Sequence, residues 1–307
     1  MRITMRIRLP ELTDRADGLM EMLSPCRLCP NECSVDRRGG ELGRCGSGSV
    51  ARVASYGPHF GEERPLVGRH GSGTVFFSGC NLACLFCQNW RISQEREGED
   101  VSDEDLAGIF LRIQEMGCHN LNLVTPTPHA APIVRGLAIA IEEGFELPIV
   151  WNCGGYESVE ALRCLDGIVD VYMPDLKYGD DDNAKWLSDV ADYVDRSRAA
   201  VREMHRQVGD LEIDGDGIAR RGLLVRHLIL PEGLAGTEPV MQFLADEIST
   251  ETYVNVMDQY RPCHRASEAP RLGRRIGRTE CDEAMRFAKD AGIWRLASTA
   301  RHNGSTV

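Results

Sequence analysis

Lysine is nearly missing from this chain. Of its 35 basic residues only three are lysines, Lys177, Lys185 and Lys289, and the rest are arginines. Such a bias points to a GC-rich genome and makes each remaining lysine a residue to account for. Positive charge is also scarce overall, since 47 acidic residues leave a net charge of −12 at pH 7. That balance argues against nonspecific binding to nucleic acid or to an anionic membrane. Long apolar runs are absent: no stretch reaches transmembrane length. The basic start, Met1 to Pro10, lacks the apolar core of a signal peptide. No internal repeat or low-complexity tract appears. The expectation is a cytoplasmic protein with neither nucleic acid nor membrane as partner. One segment runs against the charge balance: Arg261, Arg265, Arg271, Arg274, Arg275 and Arg278. It reads as a solvated loop, the alternative being an anion or partner contact.

What the chain does have is cysteine. There are twelve in 307 residues, and seven fall into two tight groups. That usage suits metal or cluster binding in a reducing compartment better than a disulfide framework. Cys80, Cys84 and Cys87 have the spacing C-x3-C-x2-C, directly after the strand-like run Thr74 to Ser78 and Gly79. A structural zinc site closes with four ligands, and three-ligand zinc sites usually use histidine. A [4Fe-4S] cluster also takes four, so three thiolates leave one iron open. Cys26, Cys29, Cys33 and Cys45 are spaced C-x2-C-x3-C-x11-C among glycine and polar residues. Four thiols with little core to bury predict a metal-stapled knuckle, for which zinc and an iron–sulfur cluster both satisfy the donor set.

The remainder has a strand–helix rhythm. A short helix is expected over 11–23, and residues 46–73 read as a linker, with a turn from Tyr56 to Gly61. Strands are predicted at 74–78, 121–125, 148–152, 168–173, 224–230 and 253–257. Between them, Ser102 and Asp105 form a capping box for a helix with apolar face Leu106, Ile109, Phe110 and Ile113. Further helices are expected at 132–144, 183–208 and 237–248, with a hairpin around Gly215–Gly217 and a last helix capped by Thr279. Six strands separated by helices make a parallel α/β sheet, as a barrel or an open doubly wound sheet. The expected organisation is an N-terminal helix and Cys-rich knuckle at 1–57, a core at 58–297 and a disordered tail at 298–307.

Chemistry in such sheets gathers at the carboxyl ends of the strands. Those ends are marked here by Thr125-Pro126-Thr127-Pro128, by Asn152-Cys153-Gly154-Gly155 and by Asp175-Leu176-Lys177. Arg226-His227 and Met257-Asp258 mark the last two. Asp175 and Lys177, two apart in extended chain, can face inward together. His227 reads equally as a core histidine, and His59, His129 and His264 read as exposed loop residues.

The run Gly73 to Trp90 has the aromatic Phe86 just before the third cysteine. With Asp175-Leu176-Lys177 and Arg226 to Pro231, it resembles the radical S-adenosylmethionine superfamily, in particular proteins like the pyruvate formate-lyase activating enzyme, in an uncharacterised branch. The likeness runs from about Cys26 to Trp294. It implies a partial (β/α)6 TIM-like barrel carrying a [4Fe-4S] cluster on Cys80, Cys84 and Cys87. It also implies S-adenosylmethionine bound among Phe86, Thr125, Thr127, Asn152, Gly154, Asp175, Lys177, Arg226 and His227. Phe86 suits the adenine, Asn152 or Asp175 the ribose, and Arg226 or Lys177 the carboxylate; Lys177 is also the expected catalytic cation. A low-potential donor of flavodoxin or ferredoxin type would reduce the cluster. Cleavage to a 5′-deoxyadenosyl radical would then permit hydrogen abstraction, in the activating enzymes from a glycine of a partner protein. Two departures stand out. The Gly-Gly-Glu motif of the activating enzymes is replaced by Thr125-Pro126-Thr127-Pro128, and the N-terminal knuckle is extra. The alternatives are a radical methylase or sulfur-inserting enzyme, a non-catalytic iron–sulfur carrier or sensor, and a zinc-stapled binding module.

Overall fold

A computed structural model describes residues 7–297; the expected tail at 298–307 lies outside them. The strands are β1 Ala51–His59, β2 Ser72–Phe77, β3 Glu99–Val101, β4 Leu121–Val124, β5 Ile149–Cys153, β6 Val171–Pro174, β7 Glu212–Ile213, β8 Ala219–Leu228 and β9 Tyr253–Met257. The helices are α1 Leu9–Glu21, α2 Arg64–Val67, α3 Trp90–Ser93, α4 Asp103–Glu115, α5 Ala130–Glu142, α6 Val159–Cys164, α7 Asp181–Ser188, α8 Tyr193–Val208, α9 Thr237–Phe243 and α10 Arg278–Asp290. One sheet runs β3-β1-β2-β4-β5-β6-β8-β7, with β9 paired to β8. β2, β4, β5, β6, β8 and β9 are parallel, the six strands expected. β1, β3 and β7 pair antiparallel at the margins.

Alternation along each strand divides the sheet into two faces. Val75, Phe77, Leu123, Trp151, Tyr172, Leu223, Val225, Val254 and Val256 pack with the helices in the main core. Val150, Val171, Met173 and Leu224 point the other way and enclose Leu66 of α2 in a smaller core. With both faces covered, β5 and β6 are buried along their whole length, as parallel strands are. The Ser102 and Asp105 capping box forms as expected, and Leu106, Ile109, Phe110 and Ile113 are buried. Leu12, Ala16 and Leu19 of α1 belong to the main core.

Several expectations are corrected. Residues 46–73 are not a linker, because β1 occupies their middle and pairs with β2. Pro58 hid the strand, but β3 covers β1 only at Ala51–Val53, so the missing N–H of Pro58 faces no partner on that side. β1 also spans the expected boundary at residue 57. The helix expected over 183–208 breaks into α7 and α8 at Asp189, which takes a left-handed φ of 56°. The helix from Thr237 ends in one π turn, Leu244–Ile248. Gly277, rather than Thr279, precedes α10, because the Glu280 carboxylate accepts the Gly277 N–H at 2.7 Å. No helix among the described residues is long and apolar enough to cross a membrane.

The α2 segment is tied to the far side of the sheet by charge. Glu63 accepts from Arg226 Nε at 2.7 Å and Nη2 at 2.6 Å, and from Asn255 Nδ2 at 2.6 Å. Glu62 accepts from Arg226 and from His59 Nδ1. Burial works against the Glu62 charge, but Arg226 and His59 outweigh it and lower its pKa to about 2. Removing one carboxylate leaves a buried guanidinium half paired and strands Asn255. Glu63→Ala is therefore expected to lower unfolding free energy by about 2–4 kcal/mol in urea titration; a loss within experimental error would contradict this account.

Candidate active site

The six parallel strands turn their carboxyl ends to one rim, and β2 delivers the cysteine loop there. Gly79 makes the turn at φ +87°, and a Cβ on it would lie 2.8 Å from the Cys45 carbonyl oxygen. Glycine is thus required for the loop to lie against the knuckle. Cys80, Cys84 and Cys87 lie close enough to act on one another: burial pushes the Cys80 thiol up, and the other two thiols push it further. Ser188 Oγ donates to Cys84 Sγ at 2.9 Å, the Leu82 amide to Cys80 Sγ at 3.4 Å, and Cys87 Sγ lies 3.2 Å from Ser93 Oγ. Backbone bonds from Ala83 and Leu85 to the carbonyls of Ser188 and Leu187 fasten the loop to α7. Phe86 is buried, with its ring edge-on to Tyr178 and Tyr260 at 6.5 and 6.1 Å.

Lys177 stands beside this loop. Its Nζ donates to Asp175 Oδ2 at 2.6 Å, and its side chain is 18% exposed. Burial alone would lower its pKa, but the Asp175 carboxylate and the Cys84 thiol raise it above the ordinary lysine value. The cation in turn opposes the rise that burial imposes on Cys84. A Cβ on Gly154 would meet Leu82 Cδ1 at 2.9 Å and Lys177 Cε at 3.7 Å, so the strand end, cysteine loop and lysine meet there. Tyr193 Oη accepts the Lys177 amide at 2.9 Å and lies 3.0 and 2.8 Å from the carbonyls of Gly154 and Asp175. Asn152 sits between Trp151 and Cys153, both in the helix-side core, so its side chain takes the opposite face.

The other candidate residues are engaged elsewhere. Arg226 is held by Glu62 and Glu63. His227 is fully buried: Nδ1 donates to the Leu176 carbonyl at 2.6 Å, and Nε2 accepts from Thr237 Oγ1 at 2.9 Å. Burial lowers its pKa to about 4, as befits a neutral core histidine. Thr125 takes a left-handed φ of 59°, an outlier for a β-branched residue, at the end of β4. Thr127 Oγ1 donates to Glu157 Oε1 at 2.7 Å. His129, expected to be exposed, is fully buried, and its Nε2 donates to the Ser78 carbonyl at 2.7 Å.

The knuckle packs on the same loop. Asn31 Nδ2 donates to the Asn81 carbonyl at 2.7 Å and lies 3.7 Å from Cys29 Sγ, while the Cys80 thiol lies 3.8 Å from Asn81 Oδ1. Cys45 and Cys80 line one cavity of about 320 Å³, with Leu42, Arg44, Ser93 and Gln94. Burial pushes the Cys29 thiol to about 12, and Cys45 and Glu157 contribute. Neither cysteine set is closed round a single ion, since no three His, Cys, Asp or Glu among the described residues are gathered that tightly. Three thiols close enough to act on one another, on a partly buried loop and with one position left over, are a donor set that fits a [4Fe-4S] cluster.

Sequence reading missed Glu157, Tyr193, Ser188 and the Asn31–Asn81 bridge. Glu157 had a weak signal, following Tyr156 at a glycine-rich strand end; Tyr193 and Ser188 had none. Burial raises Glu157 to about 8, against hydrogen bonds from Thr127 and Cys153 that lower it. Its folded pKa lies above its unfolded value. The stability it contributes is therefore full below about pH 4.5 and is lost as pH rises through about 8. Between about pH 6 and pH 8, anaerobic urea unfolding should show wild type losing about 2 kcal/mol more than Glu157→Gln, whose side chain does not titrate. Equal losses would place a charged carboxylate there instead.

Comparison with known proteins agrees with the position of the loop. The radical SAM superfamily model matches residues 74–212, which begin in the strand that delivers Cys80. The uncharacterized protein MJ0674 of Methanocaldococcus jannaschii is 32% identical over 291 residues, covering 91% of this chain and 79% of that one. The uncharacterized protein MJ0808 of the same organism is 27% identical over 265 residues, covering 80% of this chain and 73% of its own length. An identity of that level along most of both chains, together with the match on the cysteine loop, makes this chain a member of the radical SAM superfamily.

Proposed function

We propose that the protein is an enzyme of the activating-enzyme-like kind, holding one [4Fe-4S] cluster on Cys80, Cys84 and Cys87 at the rim of a partial (β/α)6 barrel. When bound, the cluster and S-adenosylmethionine supply a one-electron cleavage that yields a 5′-deoxyadenosyl radical for hydrogen abstraction. The observation that carries this reading is the meeting of the cysteine loop, Gly154 and the Asp175–Lys177 pair at one strand end. Lys177 presents a cation to a ligand carboxylate or to the cluster's negative charge, and Asp175 presents acceptors to ribose hydroxyls or an ammonium. Gly154 and Asn152 border the same space, and the strained Thr125 backbone stands where the activating enzymes carry Gly-Gly-Glu. Arg226, already matched by two carboxylates, ties the segment before α2 to β8 rather than meeting the cofactor carboxylate. His227 holds α9 against the rim. The hydrogen donor is a substrate entering from the open rim, a glycyl Cα of a partner protein or a small molecule. A low-potential carrier of flavodoxin or ferredoxin type provides the electron, in a reducing, cytoplasmic setting.

A second reading has its own observation. The shared cavity of Cys45 and Cys80 and the Asn31–Asn81 bridge bring the knuckle within reach of the cluster loop. A second metal on Cys26, Cys29, Cys33 and Cys45, zinc or iron–sulfur, would brace that loop. If it is a cluster, it would also serve radical methyl transfer or sulfur insertion.

Anaerobic reconstitution followed by iron counting and product analysis with S-adenosylmethionine and dithionite tests the first reading. The triple alanine variant of Cys80, Cys84 and Cys87 should lose the oxygen-sensitive cluster and all 5′-deoxyadenosine. Lys177→Ala should keep iron and fold but form 5′-deoxyadenosine at least about tenfold more slowly. Unchanged iron in the former, or wild-type turnover in the latter, would overturn it. For the knuckle, replacing Cys26, Cys29, Cys33 and Cys45 by serine should remove a separate metal equivalent while leaving the iron at Cys80. Identical metal content would show that the knuckle binds none.

A further inference from the structure

The arginine-rich segment after β9 does not lie apart as a solvated loop. Its apolar residues grip the cysteine loop: Tyr260, Ala266, Ala269 and Leu272 are buried in one cluster with Leu82, Cys84 and Phe86. The Arg265 amide donates to the Leu85 carbonyl at 2.9 Å, and Tyr260 Oη donates to the Leu272 carbonyl at 2.8 Å. His264 stacks on Trp90 with ring centroids 5.2 Å apart, and Arg91 lies over the Trp90 ring at 5.5 Å. Trp90 opens α3, the helix whose Ser93 touches the Cys87 thiol. The outer side of the segment thus forms a surface one short helix away from the third cysteine.

That surface is strongly basic in an acidic protein. Between Arg261 and Arg278 there are six arginines and a single carboxylate, Glu268, in a chain of net charge −12. Arg265, Arg271, Arg274 and Arg278 are exposed ion-pair partners of Glu268, Glu232, Glu280 and Asp282. Arg261, Arg275 and Arg91 are exposed, and no carboxylate among the described residues pairs with them. Unpaired exposed arginines on this segment and over Trp90 are poorly explained by stability, since exposed charges contribute little to it. They are suited to steering and seating an acidic partner.

We propose that Arg261 and Arg275, exposed on the segment that covers the cysteine loop, and Arg91, which lies over Trp90, form the docking surface for an acidic one-electron carrier protein that reduces the cluster. This rests on the radical SAM reading of the cysteine loop. The step moves one electron from the reduced carrier to the oxidised [4Fe-4S] cluster; the carrier is oxidised by one electron, and no bond or proton is transferred. The position follows from the contacts: the segment's His264 stacks on Trp90, which opens α3, and α3 ends at Ser93 beside the Cys87 thiol.

The test compares two reductants on the reconstituted full chain. With reduced flavodoxin, Arg261→Glu/Arg275→Glu should slow cluster reduction at low ionic strength by at least about tenfold. With dithionite, its reduction rate and its 5′-deoxyadenosine yield should match wild type. Raising salt from about 20 to about 300 mM should slow the flavodoxin reaction of wild type and leave the variant nearly unaffected. Arg261→Lys/Arg275→Lys should retain the wild-type rate. Wild-type kinetics with flavodoxin in the glutamate variant would overturn the docking surface alone. So would a loss of 5′-deoxyadenosine yield with dithionite while the cluster is still reduced, which would assign the arginines to the substrate. A wild-type cluster that dithionite cannot reduce would instead sink the radical reading beneath it.

Discussion

Everything at the rim depends on holding Cys80, Cys84 and Cys87 close together on a loop that cannot hold itself. The loop from Cys80 to Cys87 has no regular hydrogen bonding of its own and buries Leu82, Cys84 and Phe86. Three distant parts of the chain supply what it lacks. The end of α7 gives two carbonyls and the Ser188 hydroxyl. The segment after β9 gives the apolar cover of Tyr260 and Leu272. The knuckle gives the Cys45 backbone under Gly79 and the Asn31 side chain on Asn81. Such support from separate elements holds the loop in one conformation.

Charge is distributed with the same economy. Two largely enclosed cations, Lys177 and Arg226, stand at the sheet, and each has its own anions. Lys177 is matched by one carboxylate, Asp175, and interacts with the Cys84 thiol. Arg226 is matched by Glu62 and Glu63. Burial of a lone carboxyl at Glu157 has the opposite result: without a cation it is held neutral through most of the physiological range. Lys177, Arg226 and Glu157 thus take different parts according to the number of opposite charges each one meets.

Local pattern was enough for much of this. The six parallel strands were legible because each is an apolar run of the right length between turn residues, and the Ser102 cap because its partner is three residues away. Linkage over such short distances is written in adjacent positions. The cysteine loop was legible for the same reason, since Cys80, Cys84 and Cys87 lie within eight residues of each other. β1 was not, because its pairing with β2 outweighed the turn signal of Gly57 and Pro58, and pairing is not a local property. The break between α7 and α8 went unread because it hinges on Asp189 in a left-handed conformation, which any helical periodicity conceals.

Within the site the division is equally physical. Sequence by itself determined the C-x3-C-x2-C spacing of Cys80, Cys84 and Cys87, the placing of Asp175 and Lys177 after one strand, and the knuckle spacing, all set by distances of a few residues. Only the tertiary structure decided that Arg226 is matched by two carboxylates, because Glu62 and Glu63 reach it from more than 160 positions away. It likewise decided that His227 and His129 are packed structural groups and that the arginine run lies on the cysteine loop. It placed Cys45 and Cys80 at one cavity. Contacts of that range are set by how the faces of the sheet close, and no neighbouring residue in the chain records them.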